Sequence, residues 1–172
     1  YKEPIDLFDA HLYPGGAVRL HHLKCIVGEA KFRQALKVYL RRHEHGLVET
    51  LDFMRCLEEV TARSFDRWTD QWIYRGGYPQ LELGFQLDDS FKLATVSIKQ
   101  NQQADKKDDD LLFDLSFKVE FHYTQGSDIF SIPIKEREQR FCFKLKSKPL
   151  FIRLDSDFEC PCKKLKLDIP RP

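Results

Sequence analysis

The sequence predicts an α+β fold: an N-terminal helical segment followed by a seven-stranded β-sandwich. Three observations carry this expectation. Apolar residues recur at three- to four-residue spacing as far as Ile73, and at two-residue spacing from Leu81 onward. Between the two regimes stands Arg75-Gly76-Gly77-Tyr78-Pro79, a run of chain-breaking residues. The second part then divides into about seven short alternating runs with turn residues between them, the pattern of a β-sandwich. The expected division is residues 1–76 and residues 77–172.

Residues 1–12 carry mixed signals and receive no assignment. The first helix is expected from Pro14, since the N–H that proline lacks has no helical partner at that position. Val18, Leu20, Leu23, Ile26 and Val27 form its apolar set, and Gly28 is a suitable stop. The second helix is read from Glu29 to His43, with Phe32, Leu36, Tyr39 and Leu40 on one face. Lys37, Arg41 and Arg42 lie toward its C-terminal, negative end, and Gly46 closes it. A third helix follows Thr50 as N-cap, with Asp52 in its first turn and Phe53, Leu57 and Val60 buried. A fourth follows Ser64 and carries Phe65, Trp68, Trp72 and Ile73.

The strands begin with Leu81, Leu83, Phe85 and Leu87, which alternate with Glu82, Gly84 and Gln86. Asp88-Asp89-Ser90 is a turn, and Ala94, Val96 and Ile98 form one face of the next strand. Further runs are Leu115 to Phe121, Ile129 to Ile134, Phe141 to Leu145, Leu150 to Leu154, and Leu165 with Leu167. Gln103–Asp110 is a polar, charged connection, expected to be a mobile loop.

Composition excludes several classes. With 42% apolar and 32% charged residues, the chain can bury a core and is not a disordered tail. No stretch approaches the ~18 apolar residues of a membrane helix, so no membrane partner is indicated. The 28 basic and 27 acidic residues leave a formal charge of +1, which gives no electrostatic reason for a nucleic-acid partner. The chain opens at Tyr1 with Met54 as its single methionine, so it is expected to derive from a longer sequence. Five cysteines, an odd number, with Cys25 and Cys56 in helical patterns and Cys142 in a strand pattern, favour a reduced, cytoplasmic setting.

Few residue groups invite chemistry. His21 and Cys25 share a helical face, with His22 beside them. His43-Glu44-His45 is not HExxH, because histidines two apart on a helix point in different directions. Cys160-Pro161-Cys162 lacks the two intervening residues of a zinc knuckle. Asp108-Asp109-Asp110 lacks the alternation and the glycine of a calcium loop. There is no GxSxG, GxGxxG or GK[ST]. What remains is Tyr13-Pro14-Gly15-Gly16-Ala17, a phenol at a helix entrance beside two glycines. The phenol either packs there or donates a hydrogen bond to a developing oxyanion.

As an ordered set these residues resemble the M1 zinc aminopeptidases, the aminopeptidase N class. Tyr13-Pro14-Gly15-Gly16-Ala17 is similar to the family's Y-x-K-G-A segment. Val27 to Phe32 with Tyr39, Leu40 and His43, and then Thr50-Leu51-Asp52-Phe53, resemble the stretches that follow it. Asp70 to Pro79 resembles the passage from the catalytic domain into the β-domain, and Ser97–Gln100 the second strand of that domain. The resemblance covers roughly residues 11–155. It implies the end of a thermolysin-like catalytic domain over residues 1–76 and a β-sandwich domain over 77–172. It implies peptide substrates, and zinc in the parent protein held by HExxH and a distal Glu, with the motif Glu as general base. It gives Tyr13 the role of oxyanion donor. Gly15 departs from the family's common lysine. The zinc ligands would lie upstream of Tyr1, so no metal site is expected within this chain, which would pack on that upstream catalytic half and be inactive alone. The alternative is a non-catalytic scaffold of the TBP-associated-factor type, which keeps the architecture without peptidase activity.

Overall fold

Helix α1 spans Tyr13–Val27 and α2 spans Glu29–Arg42, and the break between them is a matter of backbone conformation. Gly28 lies at φ 86°, where a side chain would be strained, and its N–H closes α1 on the Lys24 carbonyl at 2.8 Å. The computed structural model describes residues 2–88, 90, 92–102 and 112–168, with the strand at 164–168 described by its backbone alone. The Gln103–Asp110 connection, with the three aspartates in it, therefore lies outside the described residues. The chain falls into two compact units, 1–76 and 77–172.

The first unit opens with a 3₁₀ turn, Pro4–Leu7, and continues through α1 and α2 to α3, Thr50–Thr61. Its core joins Leu23 of α1, Phe32 and Ala35 of α2, Met54 and Leu57 of α3, and Phe65. Phe53 meets both Phe32 and Tyr39 edge-on, with ring centroids 6.2 and 5.4 Å apart. Burying such side chains stabilises by roughly 1.5–3 kcal/mol each relative to exposure. Not all of the expected apolar faces are buried. Val18 and Leu20 are exposed, because α1 turns His22 and Leu23 inward and those two residues flank that face. Leu40 is exposed as well, and α2 ends at Arg42 with His43 as its cap, before Gly46 is reached.

Two helix starts differ from expectation in an instructive way. Thr50 is inside α3, and the cap is Glu49. The Asp52 carboxylate reaches back to the Glu49 N–H at 2.8 Å, so the first-turn acid caps the helix instead of the threonine. At α4, Asp66–Thr69, the Ser64 hydroxyl accepts the Asp66 N–H at 3.2 Å, although Phe65 is the residue that flanks the helix. The segment then widens into a π-helical turn, Asp70–Tyr74, closed by the Arg75 N–H on the Asp70 carbonyl at 2.8 Å.

Among its described residues the second unit holds seven strands in two sheets. They are β1 Gln80–Leu87, β2 Leu93–Gln100, β3 Leu115–His122, β4 Ser127–Ile134, β5 Glu138–Lys144, β6 Phe151–Leu154 and β7 Lys163–Asp168. One sheet has the order β5-β2-β1-β7 and the other β4-β3-β6. All pairs are antiparallel except β1 with β7, which runs parallel from Gln80↔Lys163 to Gly84↔Asp168 with one irregularity at Leu81/Glu82. The period-2 pattern does what it must: Leu81, Leu83 and Phe85 of β1, and Leu115, Phe117, Val119 and Phe121 of β3, all point inward. Phe121 meets Phe85 and Phe143 of the facing sheet at 6.3 and 5.4 Å, which closes the sandwich.

Local chemistry sets the connections. The Asp88 carboxylate accepts the Lys92 and Leu93 N–H groups at 2.8 Å each between β1 and β2. The Ser90 hydroxyl and these N–H donors hold its carboxyl below the usual carboxylate range. Gly126, at φ 81°, turns β3 into β4.

A buried amide ties the sandwich internally. Gln100 is 0% exposed. Its Nε2 donates to the Phe113 carbonyl at 2.9 Å and to the Glu136 carbonyl at 3.3 Å. Its Oε1 accepts the Phe113 N–H at 3.0 Å and the Gln102 amide at 2.7 Å. Every hydrogen-bonding position of a fully buried side chain is thus used.

Candidate active-site helix

Tyr13 is the first residue of α1, and its turn is built almost wholly from backbone. The preceding Leu12 has no side-chain acceptor to cap the helix. Instead, the Gly15 N–H donates to the Ala10 carbonyl and the Gly16 N–H to the Leu12 carbonyl, each at 3.0 Å. The tyrosine ring lies 6.3 Å from that of Phe8, tilted by 47°. It is 71% exposed, so the phenol is available to a group outside this chain. Ile5, Leu7, Phe8 and Leu12 in the segment before it are exposed as well.

Arg19 is the side chain that sequence reading passed over. Its Nη1 donates to the Gly15 carbonyl at 3.0 Å and its Nε to the carbonyl of Trp72, in the π-helical turn. Gly15 is bare where a Cβ would stand 3.0 Å from that Nη1, whereas a Cβ at Gly16 would meet nothing within 4 Å. The available signal was an arginine in the first half of α1, four residues after a glycine. One turn further along, His22 is buried against Trp72, with ring centroids 4.9 Å apart, and accepts the Trp68 indole N–H at Nδ1, 3.3 Å away.

The other sequence candidates remain separate. His21 Nε2 and Cys25 Sγ are 3.6 Å apart on α1, as their i, i+4 spacing requires. His43 packs on Tyr39 at 5.4 Å, and His45 lies 3.5 Å from Glu44. Cys160 and Cys162 share a tight turn in which the Cys162 N–H donates to the Cys160 carbonyl at 2.8 Å. Among the described residues no group of three or more His, Cys, Asp or Glu side chains is placed to hold a metal ion. Nor is any helix among them long and apolar enough to cross a membrane.

Sequence reading also missed a polar cluster on the outer side of the sandwich. Glu120, 7% exposed, accepts the Ser156 hydroxyl and lies 2.8 Å from His122 Nε2. The Ser156 hydroxyl, followed by His122, holds the Glu120 carboxyl below its ordinary value. His122 stacks on Phe151 at 4.5 Å. Glu120 is the hub between serine and histidine, so the histidine is not placed to take a proton from the hydroxyl and no hydrolytic triad is present here.

Comparison with known proteins bears on the helical unit most directly. Residues 1–72 match the Peptidase family M1 domain. Tricorn protease-interacting factor F2 of Thermoplasma volcanium is 31% identical over 85 residues, 48% of this chain and 11% of that protein. Leucine aminopeptidase 2-1 of Meyerozyma guilliermondii is 25% identical over 138 residues, 76% of this chain and 20% of that protein. The crystal structure of Legionella pneumophila aminopeptidase A in complex with aspartic acid superposes with a TM-score of 0.72. It covers 95% of this chain and 19% of its own length at 16% identity, a likeness of fold. The chain spans between a tenth and a fifth of the length of these proteins. The helical stretch with Tyr13 at its entrance is thus similar to the peptidase family M1 domain, and the chain shares its fold with part of a solved aminopeptidase.

Proposed function

We propose that the parent protein is a zinc-dependent aminopeptidase that removes N-terminal residues from peptides, and that Tyr13 is its oxyanion donor. Residues 1–76 are then the end of the catalytic domain and 77–172 its β-sandwich domain. The observation that carries this reading is an exposed phenol at the first residue of α1, within the stretch that matches the M1 domain.

The chemistry asked of Tyr13 is simple. When water adds to the scissile carbonyl, negative charge develops on its oxygen. A phenol is a hydrogen-bond donor at neutral pH, and it stabilises that charge without giving up its proton. The residues described here do not form a zinc site. We assign the zinc ligands and the general base to residues outside this chain. On this reading the chain alone hydrolyses no peptide. We assign the exposed apolar side chains Ile5, Leu7, Phe8 and Leu12 to packing on the upstream catalytic half.

The test is hydrolysis of alanyl- and leucyl-anilides by the parent protein, wild type against Tyr13→Phe. Loss of one such donor lowers turnover by ~10²–10³. Turnover within about threefold of wild type would remove Tyr13 from the mechanism. A well-folded parent with neither bound zinc nor turnover would instead establish a non-catalytic scaffold.

A further inference from the structure

The turn that carries Tyr13 has little local support. Leu12 offers no cap, and Gly15-Gly16 are poor helix formers. Left to itself, such a first turn frays, and a phenol attached to it has no fixed position.

Arg19 supplies what the turn lacks. Its guanidinium holds the Gly15 carbonyl, two residues from Tyr13, through Nη1. Through Nε it holds the Trp72 carbonyl, 53 residues away in sequence. Trp72 lies in the π-helical turn that ends the fourth helical segment. The last carbonyls of a helical segment have no donor within it, and that end is electronegative, so a cation is favoured there. A planar fork with several donors can serve two carbonyls at once, which a single ammonium does poorly. The missing side chain at Gly15 leaves the room that the fork occupies. Packing of His22 against Trp72 holds the same two elements together one turn further along.

We propose that Arg19 is a positioning residue for Tyr13: it clasps the first turn of α1 to the Trp72 carbonyl and thereby presents the phenol in one place. This rests on the reading of Tyr13 as oxyanion donor, and Arg19 itself touches no substrate.

The test uses the zinc-loaded parent protein and four variants: Arg19→Met, Arg19→Lys, Tyr13→Phe and Tyr13→Phe with Arg19→Met. Arg19→Met is expected to lower kcat about tenfold with KM within about twofold, because a transition-state contact is lost rather than ground-state binding. Arg19→Lys, which keeps the charge and can hold one carbonyl, should fall between the two, and it remains informative if Arg19→Met does not fold. Once Tyr13 is phenylalanine, Arg19→Met should cost less than about a further twofold, since residues acting through one another are not additive. Amide exchange in a peptide containing Gly15 and Gly16 should quicken by about tenfold in Arg19→Met, as expected of local fraying. An unchanged kcat, an unchanged exchange rate, or an equal loss in the phenylalanine background would each overturn the proposal. If Tyr13→Phe alone is harmless, the reading of Tyr13 fails and the catalytic role of Arg19 with it; the exchange rates then report separately on whether the clasp exists.

Discussion

The indole N–H of Trp68 donates to Nδ1 of His22 at 3.3 Å, joining α4 to α1 inside the helical unit. An accepting ring nitrogen carries no proton, so this imidazole is neutral with its hydrogen on Nε2. His22→Leu keeps an apolar side chain in the space but leaves the indole without this acceptor. The expected loss is about 1–3 kcal/mol in urea unfolding of the protein. Adding Trp68→Phe removes the stranded donor and should recover a good part of that loss. A double variant no more stable than His22→Leu would mean that the hydrogen bond contributes nothing.

Gly15 and Gly16 are adjacent in α1 and should respond differently to alanine. At Gly16 the new Cβ meets nothing, so Gly16→Ala is expected to stabilise by about 0.5–1 kcal/mol through helix propensity. At Gly15 the Cβ would stand 3.0 Å from the Arg19 guanidinium, which must shift. Gly15→Ala should therefore gain less, or lose stability. Thermal unfolding of the two variants side by side decides it, and equal gains would show that the Arg19 head moves aside freely.

Glu120 should make the sandwich acid-sensitive. Its carboxyl is held below the ordinary 4.5, first by the Ser156 hydroxyl and then by His122. A carboxyl with a depressed folded value contributes stability above its unfolded value and loses it as pH falls through the folded one. Ser156→Ala should cost on the order of 1 kcal/mol near pH 6. That difference should shrink on acidification below pH 4.5. Melting temperatures of both proteins from near pH 6 to well below pH 4.5 provide the check, and a gap independent of pH over that range would contradict the assignment.

Gln100 offers a sharper stability test. Gln100→Met keeps much of the volume but leaves the Phe113 N–H and the Phe113 and Glu136 carbonyls without this buried amide. Each stranded group costs about 1–3 kcal/mol unless water reaches it. Gln100→Met should thus be among the most damaging polar substitutions, comparable with Phe117→Ala in the core, for which about 3–5 kcal/mol is typical. Denaturation of the two variants would compare them directly. A loss below about 0.5 kcal/mol for Gln100→Met would show that solvent replaces the amide.

Much of the fold was legible because burial imposes periodicity. Leu81 to Leu87 and Leu115 to Phe121 could be only strands with one face buried. Proline at 14 and glycine at 28 bracketed α1 to within one residue. What stayed hidden depends on partners distant in sequence. Val18 and Leu20 have the same apolar character as Leu23, and only the packed helices show which of them is covered. Widening of Asp70–Tyr74 is a change in hydrogen-bond register that side-chain spacing does not encode. Gln100 and Glu120 are polar letters in alternating strands, and nothing local distinguishes a buried hub from a solvated side chain. In the candidate site Tyr13 was visible from its neighbours, whereas Arg19 was not, because its second partner is a backbone carbonyl at Trp72.

The parallel pairing of β1 with β7 has a mechanical consequence. Both strands run the same way, from Gln80↔Lys163 to Gly84↔Asp168. The chain therefore enters β1 at one end of this ladder and leaves β7 at the other. Tension applied between the residue before Gln80 and the residue after Asp168 would slide the two strands past each other along their length. The ladder's hydrogen bonds would then be loaded together in shear, not peeled one at a time, and the sandwich would resist extension along its own chain more strongly than a hairpin pulled open from its free ends.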